Sequence, residues 1–76
     1  MNNVCIIGTG RQGTAAAYDI LLYAKPKKLL LLDISTKSLE LCNKKILSVK
    51  SDNTILISEI INFDNKKKLI SILSDY

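Results

Sequence analysis

The stretch Val4–Gly13, which reads V-C-I-I-G-T-G-R-Q-G, decides the fold of this chain. Its glycines stand at Gly8, Gly10 and Gly13, in the G-x-G-x-x-G spacing of a turn that binds a dinucleotide. A short apolar strand precedes the turn, a helical segment follows it, and a second apolar run ends in an acid, Asp33. The spacing and its context together predict a phosphate-binding turn between the first strand and the first helix.

Each glycine of this turn has a predicted role. Gly8 lets the chain leave the strand in a tight turn, and Gly10 has no Cβ that would keep a pyrophosphate away from the backbone. Gly13 lets the helix press against the first strand. The free N–H groups at the start of the helix then point at the phosphates, and the helix dipole favours their charge. Arg11 either adds a charge-assisted contact or stays solvated.

Asp33 predicts the choice of cofactor. An acid at the end of the second strand accepts hydrogen bonds from ribose hydroxyls and repels a 2′-phosphate, so we expect NAD to be favoured over NADP. Three residues that follow closely can partly offset the repulsion: Ser35, Thr36 and Lys37. A plainer interpretation stays open, because glycines also cluster in ordinary βα turns and Asp33 can simply cap the next helix.

Length and composition restrict the class of protein. A chain of 76 residues holds one small domain, whereas a complete dinucleotide-binding domain has two βαβαβ halves. We therefore expect residues 1–76 to be the first half, ending before a fourth strand. The 47% apolar content is typical of a chain with a folded core. A net charge of +4 is compatible with binding to nucleic acid, so the distribution of the lysines has to be considered. The lysines lie in loops and at helix ends without interleaved aromatics, which indicates a solvated surface and no nucleic-acid partner: Lys25, Lys27, Lys28, Lys44, Lys45 and Lys66 to Lys68.

Several kinds of site are disfavoured by the composition. The chain has no histidine, so metal-binding and Ser-His-Asp sites lack their usual parts. Cys5, in the first strand, and Cys42, on the apolar side of a helix, are interpreted as small buried hydrophobes. The run Leu29–Leu32 is too short to span a bilayer, and the start of the chain has no targeting pattern. We predict a cytoplasmic protein without a membrane partner.

Three apolar runs alternate with three helical patterns along the chain. The strands are predicted at Val4–Ile7, Lys28–Asp33 and Thr54–Asn62. The first helix is predicted at Arg11–Ala24, and the second runs from a cap at Ser35 or Thr36 to Leu47. The third follows a cap at Asp64, and its apolar face consists of Leu69, Ile72, Leu73 and Tyr76. The first helix is expected to be deeply buried, because Ala15–Ala17 can pack closely on the sheet and Ile20–Tyr23 leave little polar face.

This βαβαβα order predicts an α/β fold, a three-layer Rossmann-type half domain. Its parallel sheet has three strands in the order 3-2-1, with helices on both faces. The first strand then lies at an open edge, and neither proline nor charge protects Val4–Ile7. We expect self-association through this edge, which a fourth strand would cover in a longer parent protein.

The segment A-A-A-Y-D-I at Ala15–Ile20 resembles the opening of the saccharopine dehydrogenase and L-lysine dehydrogenase family. The strand L-L-L-L-D-I, at Leu29–Ile34, is similar to that family's acid-terminated second strand. The end of the third strand also resembles the family, although Asn62 stands where aspartate is usual. The resemblance implies an NAD(P)-dependent oxidoreductase that transfers hydride at an amine-bearing carbon of an amino acid. Its cofactor contacts would be Gly8, Gly10, Arg11, Gln12, Gly13, Asp33, Ile34, Asn62 and Phe63, with no catalytic and no metal-binding residue in this chain.

Two alternatives stay open. A nucleotide-sensing regulatory domain of the potassium-channel type shares the glycine turn, often with G-R-x-G as at Gly10–Gly13, and the acid after the second strand. Such a domain binds nucleotides without chemistry. The other alternative is an inactive fragment that folds poorly. We favour the dehydrogenase because of Ala15–Ile20, and we expect the 76 residues alone to be inactive, since the nicotinamide would lie over a second half.

Overall fold

Three parallel strands form the centre of the structure, a computed structural model that describes residues 3–62, 64 and 66–74. The strands are β1 (Asn3–Ile7), β2 (Lys28–Asp33) and β3 (Ile55–Ile60), and they lie in the order β1-β2-β3. The register places Leu30 of β2 opposite Cys5 of β1 and Ile57 of β3. The predicted α/β class, the parallel pairing and the 3-2-1 order are confirmed.

Three helices connect and follow the strands. They are α1 (Arg11–Asp19), which continues as a π-helical turn (Ile20–Ala24), α2 (Thr36–Ile46), which continues as a short 3-10 turn (Leu47–Val49), and α3 (Lys66–Leu73). The π turn ends with Lys25 in the left-handed region, its N–H donating to the carbonyl of Ile20, directly before Pro26. Of the two predicted caps of α2, Ser35 is the one used: its hydroxyl accepts the N–H of Ser38 at 3.2 Å.

Alternation along β2 builds a core on each face of the sheet. Leu29 and Leu31 pack on one face against α1 and α2, through Ala17, Leu21, Leu39, Cys42 and Ile46. Leu30 and Leu32 pack on the other face with Ile61 and with Leu69, Ile72 and Leu73 of α3. All four leucines of β2 are at most 2% exposed, and burying each contributes about 1.5–3 kcal/mol. The predicted three layers, with helices on both faces, are confirmed.

The expectation that the first helix is deeply buried is wrong. Only Thr14, Ala17 and Leu21 of this helix and its π turn are buried, at the i, i+3 and i+7 positions that face the sheet. Ala15 and Ala16 are exposed, as are three large apolar side chains: Tyr18, Leu22 and Tyr23. A helix that covers one face of a three-stranded sheet turns its outer side to solvent, whatever residues that side carries.

Smaller corrections concern the ends of elements and one cysteine. The third strand is shorter than predicted, because Thr54, Ile61 and Asn62 lie outside the ladder. Cys42 is fully buried as predicted, but Cys5 is only half-buried because β1 is an edge strand. Helix α3 begins at Lys66, and the cap predicted at Asp64 stays a prediction. Residues 63, 65, 75 and 76 lie outside the described residues, and with them the predicted contacts of Phe63 and Tyr76.

Within the described ranges β1 pairs with β2 alone, as predicted, and its other edge is open. The predicted lysines of the solvated surface are all exposed. No helix in the described part of the chain is long and apolar enough to cross a membrane.

Candidate functional site

The glycine turn lies where β1 and β2 end side by side. The N–H of Gly8 donates to the carbonyl of Leu32 at 2.7 Å, which extends the β1–β2 pairing one residue beyond β1. Gly8 then turns with φ +90°, a conformation that other residues rarely adopt. The chain therefore leaves the strand in the tight turn expected of this glycine.

Gly13 and Gly10 differ in what the chain itself requires of them. A Cβ at Gly13 would overlap the carbonyl oxygen of Gly8, so the start of α1 can lie against the end of β1 only with glycine there. A Cβ at Gly10 would meet no atom within 4 Å, and its φ of −69° suits any residue. Packing and conformation explain two of the glycines, Gly8 and Gly13, but not Gly10.

The start of α1 presents free backbone donors beside this turn. The first hydrogen bond of the helix joins the N–H of Thr14 to the carbonyl of Gly10 at 2.9 Å, so three N–H groups precede it: Arg11, Gln12 and Gly13. No side chain caps this end, and its first turn contains no acid. The side chains of Arg11 and Gln12 are exposed. This arrangement suits an anion, through both the N–H groups and the helix dipole.

Asp33 reaches from the end of β2 to the glycine turn. Its Oδ2 accepts two hydrogen bonds from Thr9, one from the N–H and one from the hydroxyl, both at 2.7 Å. Its Oδ1 accepts the N–H of Ser35 at 3.0 Å. Ser35 and not Asp33 is the cap of α2, and the structure brings Asp33 together with the glycine turn.

These hydrogen bonds set the charge of the acid. The N–H of Thr9, followed by the Thr9 hydroxyl, holds the pKa of Asp33 below its ordinary value. The N–H groups of Ser35 and Ile34 act in the same direction, while partial burial opposes them. The carboxylate is consequently ionised at neutral pH.

A cavity of about 160 Å³ opens beside the turn, between the start of α1 and one side of α2. It is too small to enclose a whole dinucleotide, since even drug-sized ligands occupy pockets of about 300–1,000 Å³, and it suits a single anionic group. A wider groove of about 430 Å³ runs along α1 and shares Arg11, Thr14 and Lys45 with it. The residues that line the cavity are Thr9, Gly10, Arg11, Thr14, Ser38, Leu41 and Lys45.

Sequence reasoning missed Thr9, Thr14, Ser38 and Lys45. A hydroxyl between two glycines, next to a strand that ends in an acid, is the signal that could have found Thr9. Lys45 was interpreted as a solvated lysine; it is exposed, but it also lines the cavity with Arg11. Its place there depends on how α2 packs on α1, which no local pattern shows.

The remaining predicted contacts lie at the same edge of the sheet. The N–H of Ile61 donates to the carbonyl of Asp33 at 3.0 Å, which holds the end of β3 beside the acid. Asn62 is exposed, and its side-chain oxygen accepts the N–H of Asp64 at 3.0 Å in a local turn. Ile34 follows Asp33 and is 66% exposed. Phe63 lies outside the described residues. Among the residues that the structure describes, no group of three or more Cys, Asp and Glu side chains could hold a metal ion.

Together these features define a small α/β unit with an anion-suited turn and an ionised acid at the carboxyl edge of its sheet. No protein-family model matches the chain, no curated protein is significantly similar to it, and no solved structure matches it. The resemblance of Ala15–Ile20 to the saccharopine and lysine dehydrogenases stays a prediction from sequence.

Proposed function

We propose that this chain binds the ADP part of a nicotinamide dinucleotide at the glycine turn, NAD in preference to NADP. The observation that carries the proposal is Gly10. Neither its backbone angles nor its neighbours require glycine, since φ is −69° and a Cβ would meet open space. A pyrophosphate lying against the backbone would require it, because a Cβ would occupy the space of the phosphate.

The surroundings of Gly10 suit a pyrophosphate. The uncapped N–H groups of Arg11, Gln12 and Gly13 are donors for its oxygens, and no acid in the first turn of α1 repels it. Arg11 and Lys45 line the adjoining cavity and add positive charge. A diphosphate bound here would be held mainly by the backbone.

Asp33 supports the choice between the two cofactors. Its carboxylate lies at hydrogen-bond distance from Thr9 of the turn, so a nucleotide on the turn would place its ribose near this acid. An ionised carboxylate accepts ribose hydroxyls and repels a 2′-phosphate. This is the basis for preferring NAD.

We propose further, from the resemblance of Ala15–Ile20, that this ADP site serves an amino-acid oxidoreductase of the saccharopine or lysine dehydrogenase type in the cytoplasm. The 76 residues would bind the cofactor without catalysing hydride transfer, which needs the nicotinamide held against a substrate. A nucleotide-sensing domain is the second candidate, favoured by Arg11 in the G-R-x-G of the turn and at the cavity. The two candidates share the binding step.

Calorimetric titration of ADP-ribose into the wild type and a Gly10→Val variant tests the binding step. The valine is compatible with the backbone at this position, so the variant should fold, yet it should bind ADP-ribose at least about tenfold more weakly because its side chain displaces the pyrophosphate. Ala16→Val is the matched control, since it places the same side chain on an exposed position of the same helix. Equal affinity in both variants, or no binding by the folded wild type, would refute the proposal.

A further inference from the structure

Thr9 is a buried residue whose two hydrogen-bond donors are directed at a single oxygen atom. It is 2% exposed and lies between Gly8 and Gly10, where burial of a hydroxyl is costly unless it is hydrogen-bonded. Its N–H and its hydroxyl both donate to Oδ2 of Asp33, at 2.7 Å each. Two short hydrogen bonds to one carboxylate oxygen fix the direction in which the other oxygen points.

The two oxygens of Asp33 therefore have different roles. Oδ2 receives two hydrogen bonds from Thr9 and has no acceptor site left for a ligand. Oδ1 receives one, from the N–H of Ser35 at 3.0 Å, and keeps the capacity to accept another. A ribose hydroxyl that approaches this acid is directed to Oδ1.

We propose that Thr9 is a positioning residue that sets the preference of the site for an unphosphorylated ribose, by holding Oδ1 of Asp33 where it accepts the ribose hydroxyl. This inference rests on the proposed binding of an ADP group. The hydrogen bond to ribose depends on the direction of Oδ1, whereas repulsion of a 2′-phosphate depends mainly on the charge of the carboxylate. Thr9 therefore acts on the affinity for ADP-ribose more than on that for its 2′-phosphate.

Thr14 extends this arrangement into α1. Its hydroxyl is buried and donates to the carbonyl of Thr9 at 3.0 Å, so the peptide group of Thr9 is held by the helix as well as by the acid. Asp33, Thr9 and Thr14 form a continuous chain of hydrogen bonds from the end of β2 to the first helix. A ligand on the turn would contact both ends of this chain.

Two substitutions of Thr9 distinguish the effect of its hydroxyl from the effect of its branched side-chain shape. Thr9→Val keeps the branched shape and removes the hydroxyl, while Thr9→Ser keeps the hydroxyl. The matched control is Thr54→Val. Thr54 is also 2% exposed, and its hydroxyl also donates one hydrogen bond, to the carbonyl of Pro26 at 2.6 Å. It lies at the amino end of β3, away from the glycine turn. Any general effect of losing a buried hydroxyl appears in both valine variants.

The measurement is the affinity of each protein for ADP-ribose and for 2′-phospho-ADP-ribose. Thr9→Val should bind ADP-ribose about tenfold more weakly, the loss expected for one hydrogen bond to a charged group, with a smaller change for the phosphorylated ligand. The ratio of the two affinities should fall several-fold, and Thr9→Ser and Thr54→Val should keep the wild-type ratio. An unchanged ratio in Thr9→Val overturns the inference while leaving the proposed function intact. A folded wild type that binds neither ligand refutes the proposed function itself.

A second measurement needs no ligand and no substitution. In an NMR titration of the wild type, the amide resonance of Thr9 should shift with the same midpoint as the carboxyl carbon of Asp33, because the two groups are hydrogen-bonded. Where Thr9→Val folds, the pKa of Asp33 should rise towards its ordinary value in that variant and stay unchanged in Thr54→Val. A Thr9 amide that does not follow the ionisation of Asp33 overturns the inference even if Thr9→Val cannot be purified.

Discussion

Gly13 lies so close to Gly8 that a Cβ on the first would overlap the carbonyl oxygen of the second. This contact joins the start of α1 to the end of β1 with no side chain between them. The free N–H groups of the helix are brought to the turn as a result. The close packing of two glycines thus positions the donors of the candidate site.

Gly13→Ala should destabilise the protein, because the overlapping atom belongs to the backbone and cannot move aside. The expected loss in unfolding free energy is about 1–3 kcal/mol, as for other overpacked positions. Gly10→Ala is the control, since its Cβ meets open space, and it should change stability by no more than about 0.5 kcal/mol. Urea unfolding of both variants checks this. Similar stabilities would show that α1 does not lie as close to β1 as described.

Asp33 should make stability depend on pH in the acid range. Its pKa is lowered in the folded state, so its contribution is present above the ordinary pKa of an aspartate and is lost as pH falls through the lowered value. Asp33→Asn should lose this dependence and should be less stable at pH 7, because an amide has one accepting oxygen and, in either orientation, its nitrogen faces a donor of Thr9 or of Ser35. Unfolding free energies between pH 2 and 7 test this, with Asp52→Asn in an exposed turn as control. Parallel curves for wild type and Asp33→Asn would contradict it.

Lys45 should strengthen binding of a diphosphate through its charge. It lines the cavity beside the turn, whereas Lys44, its neighbour on α2, is exposed and does not line it. Lys45→Ala should weaken ADP-ribose binding by a few-fold, an effect that added salt reduces, and Lys44→Ala should have little effect. Titrations at two salt concentrations measure this. Equal losses in both variants would indicate that only the net charge matters.

The open edge of β1 should mediate self-association. Ile7 ends β1 and is 52% exposed, and Ile60 ends the other edge strand, β3, and is 51% exposed. A charge near an open edge opposes strand pairing, so Ile7→Lys should reduce association while Ile60→Lys should not. Sedimentation over a range of protein concentrations distinguishes them. A wild type that stays monomeric throughout would show that this edge does not pair.

The strands were the most predictable part of this chain. The bounds of β2 match the predicted Lys28–Asp33, because Pro26 and Asp33 enclose an uninterrupted run of leucines that both faces of the sheet bury. The ends of β3 were less predictable, since Thr54 is β-branched but hydrogen-bonds to Pro26 outside the ladder. Local pattern identifies an apolar strand well and its last residue poorly.

The site was predictable only where it depends on backbone spacing. The glycine turn and Asp33 meet because parallel neighbouring strands end at one edge, which the order of elements implies. The link through Thr9 and the position of Lys45 depend on side chains from different elements. Tyr23 is another example, since it is 79% exposed although the sequence predicted a buried helix. A large apolar side chain is buried only where another element covers it, and the local sequence does not show which elements do so.

Among the described strands, β2 alone is paired on both sides, and it carries Asp33 at its end. Its amides should exchange more slowly than those of β1, because β1 can separate from one side while β2 stays paired with β3. A ligand that contacts both the glycine turn and Asp33 would hold the end of β1 against the end of β2. Binding would then slow amide exchange in β1 and raise the global unfolding free energy together, because the locally opened state and the unfolded state both lose the ligand.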